Sequence, residues 1–298
     1  MTSLANHQSN EYTKLLIMGD SGSGKTGALA SLVADGYKLR ILDYDNGLDV
    51  LKQYVLHDCP DKINNVEFRP LQEEWKAGPE GPVIAGGAKA FIAGIKMLSH
   101  WRYADIDLGI PAHWGPDTIL VLDSLTRFSD TAFDFRESIA PPKQDRRAIY
   151  GDAQNAIEAT LSTLCGANFC SNVIVISHIK YQERQDGMLK GYPMSVGAAL
   201  SPKIPAYFNS VALCQTVNGK RTIQTAPTNM IDLKNPAPFA MAPSYPIGTG
   251  LAEFFRVLRK PPAKEKPIEQ TPISQPNTPS KIQPTQIQPR TNQPLRRA

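Results

Sequence analysis

Short runs of apolar residues with little polar alternation recur along the chain: Lys14 to Met18, Leu39 to Asp43, Ile119 to Asp123 and Val173 to Ser177, with Asn65 to Arg69 as a further candidate. Such runs predict strands buried on both faces. Between them, apolar residues fall at helical spacing. Ala28, Leu29, Leu32 and Val33 predict a helix over Thr26 to Ala34, ended by Gly36. Ala153, Ile157, Leu161 and Leu164 predict another over Gly151 to Cys165, and a third is expected from about Ala88 to Trp101, after the Gly/Pro-rich stretch Gly78 to Gly87. Strands alternating with helices predict a mostly parallel sheet covered on both faces. Downstream, Ser210 to Val217 and Arg221 to Thr225 flank Asn218-Gly219, a dipeptide that favours a tight hairpin. The expected fold is therefore α/β, with antiparallel strands at the C-terminal edge. One domain over residues 12–259 follows a flexible N-terminus, 1–11, and precedes a disordered tail, 260–298.

The charge is unevenly placed. From Lys260 to Ala298 there are seven Lys/Arg against Glu265 and Glu269, a surplus of five, whereas the whole chain carries +4; the remainder thus sums to −1. Nine prolines in the same segment and almost no aromatics predict disorder. The tail is either a solvated linker or a basic arm that recruits nucleic acid or a partner. No apolar run is long enough to span a bilayer, and the polar start of the chain has no signal-peptide character. Cys59, Cys165, Cys170 and Cys214 form no CxxC pair and no zinc-ligand spacing, so a cytoplasmic chain with reduced thiols is expected.

The strongest chemical signal is Gly19-Asp20-Ser21-Gly22-Ser23-Gly24-Lys25-Thr26, which fits GxxxxGK[ST] between a predicted strand and a predicted helix. Glycines let backbone N–H groups converge on phosphates, and the helix start adds its positive dipole end. Lys25 can pair with the β- and γ-phosphates of ATP, and the Thr26 hydroxyl can ligate Mg²⁺. Asp123, at the tip of an apolar strand, is placed to hold a Mg²⁺-bound water, or it caps the turn after it. Asp45 lies two residues beyond another strand and is either the group that orients attacking water or a surface turn residue. His178 follows a further strand and is either a γ-phosphate contact or a satisfied structural histidine. Asp49 fits a helix N-terminus. Arg127 to Tyr150 and Lys180 to Tyr192 are expected as loops from the same edge. In the second, Lys180, Tyr181, Arg184, Lys190 and Tyr192 interleave charge with rings, a pattern suited to single-stranded DNA and also met in mobile polar loops. Trp75, Trp101 and Trp114 are expected to pack.

Taken together, these residues resemble the RecA-type core. Ile41 to Asp49 resembles the second strand of RecA-like ATPases and the acid after it, with Asp45 where that family usually has Glu. Leu120 to Leu125 resembles its Walker B with Asp-Ser, and Val175 to His178 the strand that ends in a phosphate-sensing residue. Lys234-Asn235 is similar to a lysine reaching toward a neighbouring subunit's ATP. Over residues 12 to 258 the chain resembles the phage Sak group of RecA-like single-strand annealing ATPases, through the tryptophan-bearing helix, Asp-Ser-Leu-Thr at 123–126, Tyr-Gly at 150–151 and His178. That resemblance implies a DNA-stimulated ATPase acting in recombination in a host cytoplasm. It further implies homo-oligomers, as rings or filaments, with ATP at subunit interfaces, and a single-strand-binding protein as a possible partner. A nucleotide-dependent scaffold with little hydrolysis is the alternative, to which the shorter acid at position 45 points. A small-molecule kinase fits less well, because no arginine-rich lid is evident.

Overall fold

Residues 11–184 and 187–259 are described by the structure, a computed structural model. The expectations for the tail, and for all of the N-terminus but Glu11, lie outside the described residues. In chain order the elements are β1 (Lys14–Met18), α1 (Lys25–Ala28), α2 (Ala30–Ala34), β2 (Lys38–Asp43), α3 (Asp49–Asp58) and β3 (Val66–Pro70). There follow β4 (Trp75–Gly78), β5 (Gly81–Ile84), α4 (Ala90–Ser99), β6 (Trp101–Tyr103), β7 (Ile106–Gly109) and β8 (Gly115–Asp123). Next come α5 (Leu125–Ser138), α6 (Arg146–Cys165), β9 (Ser171–Ser177), β10 (Ile179–Glu183) and β11 (Leu189–Pro193). The last elements are β12 (Ser210–Val217), β13 (Lys220–Gln224), β14 (Ser244–Pro246) and α7 (Gly250–Arg259).

Eight strands form one sheet in the order β14-β13-β12-β1-β9-β8-β2-β3. From β12 to β3 all neighbours are parallel, whereas β13 and β14 run antiparallel, as the Asn218-Gly219 turn predicts. The apolar runs follow from two-sided burial. Leu16, Met18, Leu122, Val173 and Val175 pack toward α4, α5 and α6, while Leu15, Ile17, Val121, Ile174 and Ile176 pack toward α1, α2, α3 and α7. Every parallel strand therefore ends, at its C-terminal tip, on the same edge, where ligands of open α/β sheets bind.

Four expectations change. The helix after the glycine loop tightens at Leu29, whose N–H bonds the Thr26 carbonyl at 3.2 Å, so α1 and α2 are separate pieces. The stretch 127–150 is mostly helical and not a loop: the Ser124 hydroxyl and the Asp145 carboxylate accept N–H groups at the starts of α5 and α6, and Phe128 and Ala132 bury its inner face. Within the stretch 180–192, also expected as a loop, β10 and β11 pair as antiparallel strands, Ile179–Glu183 against Leu189–Pro193. Of the tryptophans, Trp101 is buried and meets Trp114 edge-on at 5.6 Å, but Trp75 is 60% exposed, because it lies on the small β4–β5 hairpin outside the main sheet. All four cysteines are free thiols. Among the described residues no helix is long and apolar enough to cross a membrane.

Lys14 opens β1 as a buried cation. Its amine donates to the Phe169 and Ser171 carbonyls at 2.7 and 2.6 Å, and burial pushes its pKa down to about 8. The folded chain thus sheds this proton before the unfolded chain does, so stability rises with pH from about 8 toward 10.5. Compared with Lys14→Met in urea melts, the wild type should gain about 2 kcal/mol of relative stability between pH 7.5 and 10. A constant difference across that range would contradict this.

Candidate nucleotide site

The glycine loop joins β1 to α1. Gly22 and Gly24 adopt φ of 76° and 95°, which non-glycine residues reach only with strain. Gly19 has no room for a side chain: a Cβ there would lie 2.5 Å from both the Cys214 carbonyl oxygen and Ser23 Oγ. Lys25 is buried, and its amine donates to the Gly19 and Asp20 carbonyls at 2.8 and 2.9 Å. Burial lowers its pKa, opposed by the nearby Asp123, Asp45 and Asp20 carboxylates.

β8 ends on Asp123 and β2 on Asp43, and the register pairs the two tips. Thr26 Oγ1 donates to Asp123 Oδ2 at 2.8 Å. Burial, reinforced by the charges of Asp45 and Asp43, pushes the Asp123 carboxyl up to about 7, although the Thr26 hydrogen bond and Lys25 pull the other way. Asp43 is tied up structurally, accepting the Asn46 N–H at 2.8 Å and so closing the turn that presents Asp45. Asp45 Oδ1 accepts the Ser124 hydroxyl at 2.8 Å, and its Oδ2 lies 3.7 Å from His178 Nε2. Burial would raise the Asp45 pKa, but His178, Ser124 and the charge of Arg127 outweigh it, leaving the carboxyl below its ordinary value. His178 is fixed through its backbone: its N–H donates to Thr126 Oγ1 at 3.1 Å and its carbonyl accepts the Met194 N–H at 2.8 Å. Asp49 falls in the first turn of α3, as expected.

Lys25, Thr26, Asp45, Asp123 and His178 are therefore brought together at one edge. Lys234 is not. Its amine donates to the Phe208 carbonyl at 2.7 Å and its backbone bridges Val211, at the opposite, N-terminal end of β12. The hairpin residues divide as well. Cross-strand partners share a face, so Lys180 lies with Tyr192, and Gln182 with Lys190, while Tyr181 lies over Gly191 on the other face, toward the glycine loop. Lys190 is paired with Asp232 at 2.6 Å, and Arg184 directly follows β10. Two contributors escaped sequence reading. Ser124 holds Asp45, and Arg127, expected in a loop, stands in the first turn of α5 within electrostatic reach of Asp45. The Asp-Ser pair at the strand tip was the available signal for the first.

A triphosphate with a divalent cation suits these groups. The loop is backbone-lined and leaves no space for side chains at Gly19, the buried Ser23 Oγ has no hydrogen-bond partner, and Thr26 and Asp123 supply the hard oxygen donors that Mg²⁺ prefers. Among the described residues no cluster of three or more His, Cys, Asp or Glu could hold a metal ion by itself, so the nucleotide's own oxygens would complete the shell.

Comparison with known proteins gives one family: the profile described as AAA domain matches residues 11–237. No curated protein matches significantly. Among solved structures, an ATPase from the type III secretion system of pathogenic bacteria matches at 11% identity and TM-score 0.38, over 70% of this chain and 54% of that one. The assembled ATPase EscN in complex with its central stalk EscO, from enteropathogenic E. coli, matches at 12% identity and TM-score 0.40, over 70% and 44%. The chain thus spans about half the length of these structures.

Proposed function

The chain belongs to the AAA-domain family of P-loop proteins, and on that footing we propose that it hydrolyses ATP in response to single-stranded DNA, promoting strand annealing or pairing like the Sak-group proteins it resembles. In this reading Lys25 pairs with the β- and γ-phosphates, and the loop N–H groups from Gly22 to Lys25 orient them. Thr26 and Asp123 would hold Mg²⁺, which would supply positive charge to offset that of the phosphates. Asp45, ionised at neutral pH, accepts hydrogen bonds from the attacking water and aligns it with the γ-phosphorus. His178 stands beside that water and senses whether the γ-phosphate is present.

One observation carries the coupling to DNA. His178 lies 3.7 Å from Asp45, and its backbone carbonyl also closes the base of the β10–β11 hairpin. A shift of the imidazole on hydrolysis is thereby transmitted to the hairpin, where Lys180 and Tyr192 share one face for phosphate contact and stacking. Adding a poly-dT oligonucleotide should raise ATP turnover several-fold, with a stimulation that fades as salt rises. Turnover indifferent to DNA would remove the coupling. ATP binding with negligible turnover in either condition would favour a nucleotide-dependent scaffold, a reading that the engagement of Asp45 by Ser124 and His178 supports.

A further inference from the structure

Two lysines that take no part in the nucleotide site, Lys14 and Lys234, line one cavity of about 430 Å³. Lys14 opens β1, Asn209 directly precedes β12, and Phe169 stands just before β9. The cavity therefore lies at the N-terminal ends of the parallel strands, on the edge opposite the glycine loop. Lys14 is buried, and two of its three N–H groups are taken by the Phe169 and Ser171 carbonyls. Lys234 is exposed and gives one N–H to the Phe208 carbonyl at 2.7 Å. Among the described residues both amines contact carbonyls and no carboxylate. Carbonyl dipoles carry no net charge, and the one acid in the lining, Glu11, is exposed to solvent. Both lysine charges reach Cys165, but burial pushes its thiol up to about 12, so it adds no anion. The cavity thus faces two cations that no paired anion balances.

The remaining wall is flat and apolar. The Phe169 and Tyr12 ring centroids lie 4.7 and 5.9 Å from the Lys14 amine, and the Tyr207 hydroxyl is bonded to Glu158 at 2.6 Å. We propose that this cavity binds a small aromatic carboxylate, its charge between the Lys14 and Lys234 amines and its ring against Tyr12 and Phe169. The volume and the mix of apolar wall with a few placed polar groups are those of a small-molecule site. A carboxylate suits better than a phosphate, because Lys14 has one N–H left and a third phosphate oxygen would want a further donor. Burial holds the Lys14 amine down to about 8, and an anion seated against it would favour its charged form. Affinity should therefore fall as pH rises through 8, when the free protein loses that charge. The titratable groups sharing the cavity are Glu11, Tyr12, Cys165, Cys170, Tyr207 and Lys234, of which Cys165 and Tyr207 are raised to about 12, above this window.

The test is a fluorescence titration of the full chain with 2-naphthoate, set against naphthalene-2-carboxamide, which has the same rings and no charge. The carboxylate should bind at least about tenfold more tightly than the amide. Its affinity should drop about tenfold between pH 7 and pH 9.5. Lys234→Gln alters an exposed side chain, so it should leave the melting temperature unchanged and weaken binding about fivefold. Lys14→Met should abolish binding; should that variant melt below the assay temperature, the pH profile of the wild type carries this arm alone. Ala206→Trp, at an exposed position of the lining, should block the cavity without unfolding the chain. Saturating ATP analogue should not displace the probe, because the two sites lie at opposite edges of the sheet. The proposal is overturned if the wild type does not bind 2-naphthoate, if the amide binds equally well, if the pH profile is flat, or if Lys234→Gln or Ala206→Trp binds as the wild type does. Displacement by the ATP analogue would place the probe in the nucleotide site and overturn it too. Tighter binding of 2-naphthyl phosphate would assign the cavity to phosphate esters, with the same result.

Discussion

Lys25→Ala should abolish ATP turnover and weaken nucleotide binding about 100-fold or more. The amine is buried among the carbonyls of Gly19 and Asp20 and near three carboxylates, so it is held at the mouth of the cradle without an ion-pair partner of its own among the described residues. Each charge-assisted hydrogen bond to phosphate is worth about 1.5–3 kcal/mol, and two such bonds account for the expected loss. The fold should survive, because burying this cation already opposes its charged state. Isothermal titration with ATP analogue and a phosphate-release assay read both parts. Tight binding by the variant would show that the phosphates rest elsewhere.

Asp45→Asn should separate the two steps that Lys25→Ala removes together. Asparagine keeps the shape and can still meet Ser124 and His178, but it is a poor acceptor for the proton of an attacking water. Turnover should fall about 10²- to 10⁴-fold while ATP affinity changes little. The carboxyl is held below its ordinary pKa, so this group should remain ionised through pH 5, and its titration should not limit the rate at neutral pH. A variant with undiminished turnover would leave Asp45 as a turn residue tethered by Ser124.

Much of this architecture is legible in the sequence. Two-sided burial forces strands such as Ile119–Leu122 and Val173–Ile176 to be apolar throughout, so they stand out against the amphipathic helices between them. Parallel strands put their C-terminal tips on one edge, and that alone was enough to predict that Asp45, Asp123 and His178 would gather near Lys25. What depended on register or on competition between signals was not legible. Charge density between Arg127 and Tyr150 suggested a loop, yet the caps at Ser124 and Asp145 and the buried Phe128 make it helical. The hairpin register, invisible in composition, separates Tyr181 from Lys180 and Tyr192, and it takes Asp232, far along the chain, to engage Lys190. Lys234 follows the last long strands in sequence but sits at the far end of the sheet, because the chain returns to bridge Val211 before forming β14.

A structure determined with Mg²⁺ and a non-hydrolysable ATP analogue tests the central claim most directly. The expected result is a triphosphate lying along Gly22 to Thr26, the Lys25 amine drawn from the loop carbonyls onto phosphate oxygens, and the Asp45 carboxylate facing the γ-phosphorus across one ordered water. Phosphates bound away from Lys25, or an Asp45 turned from the terminal phosphate, would contradict it.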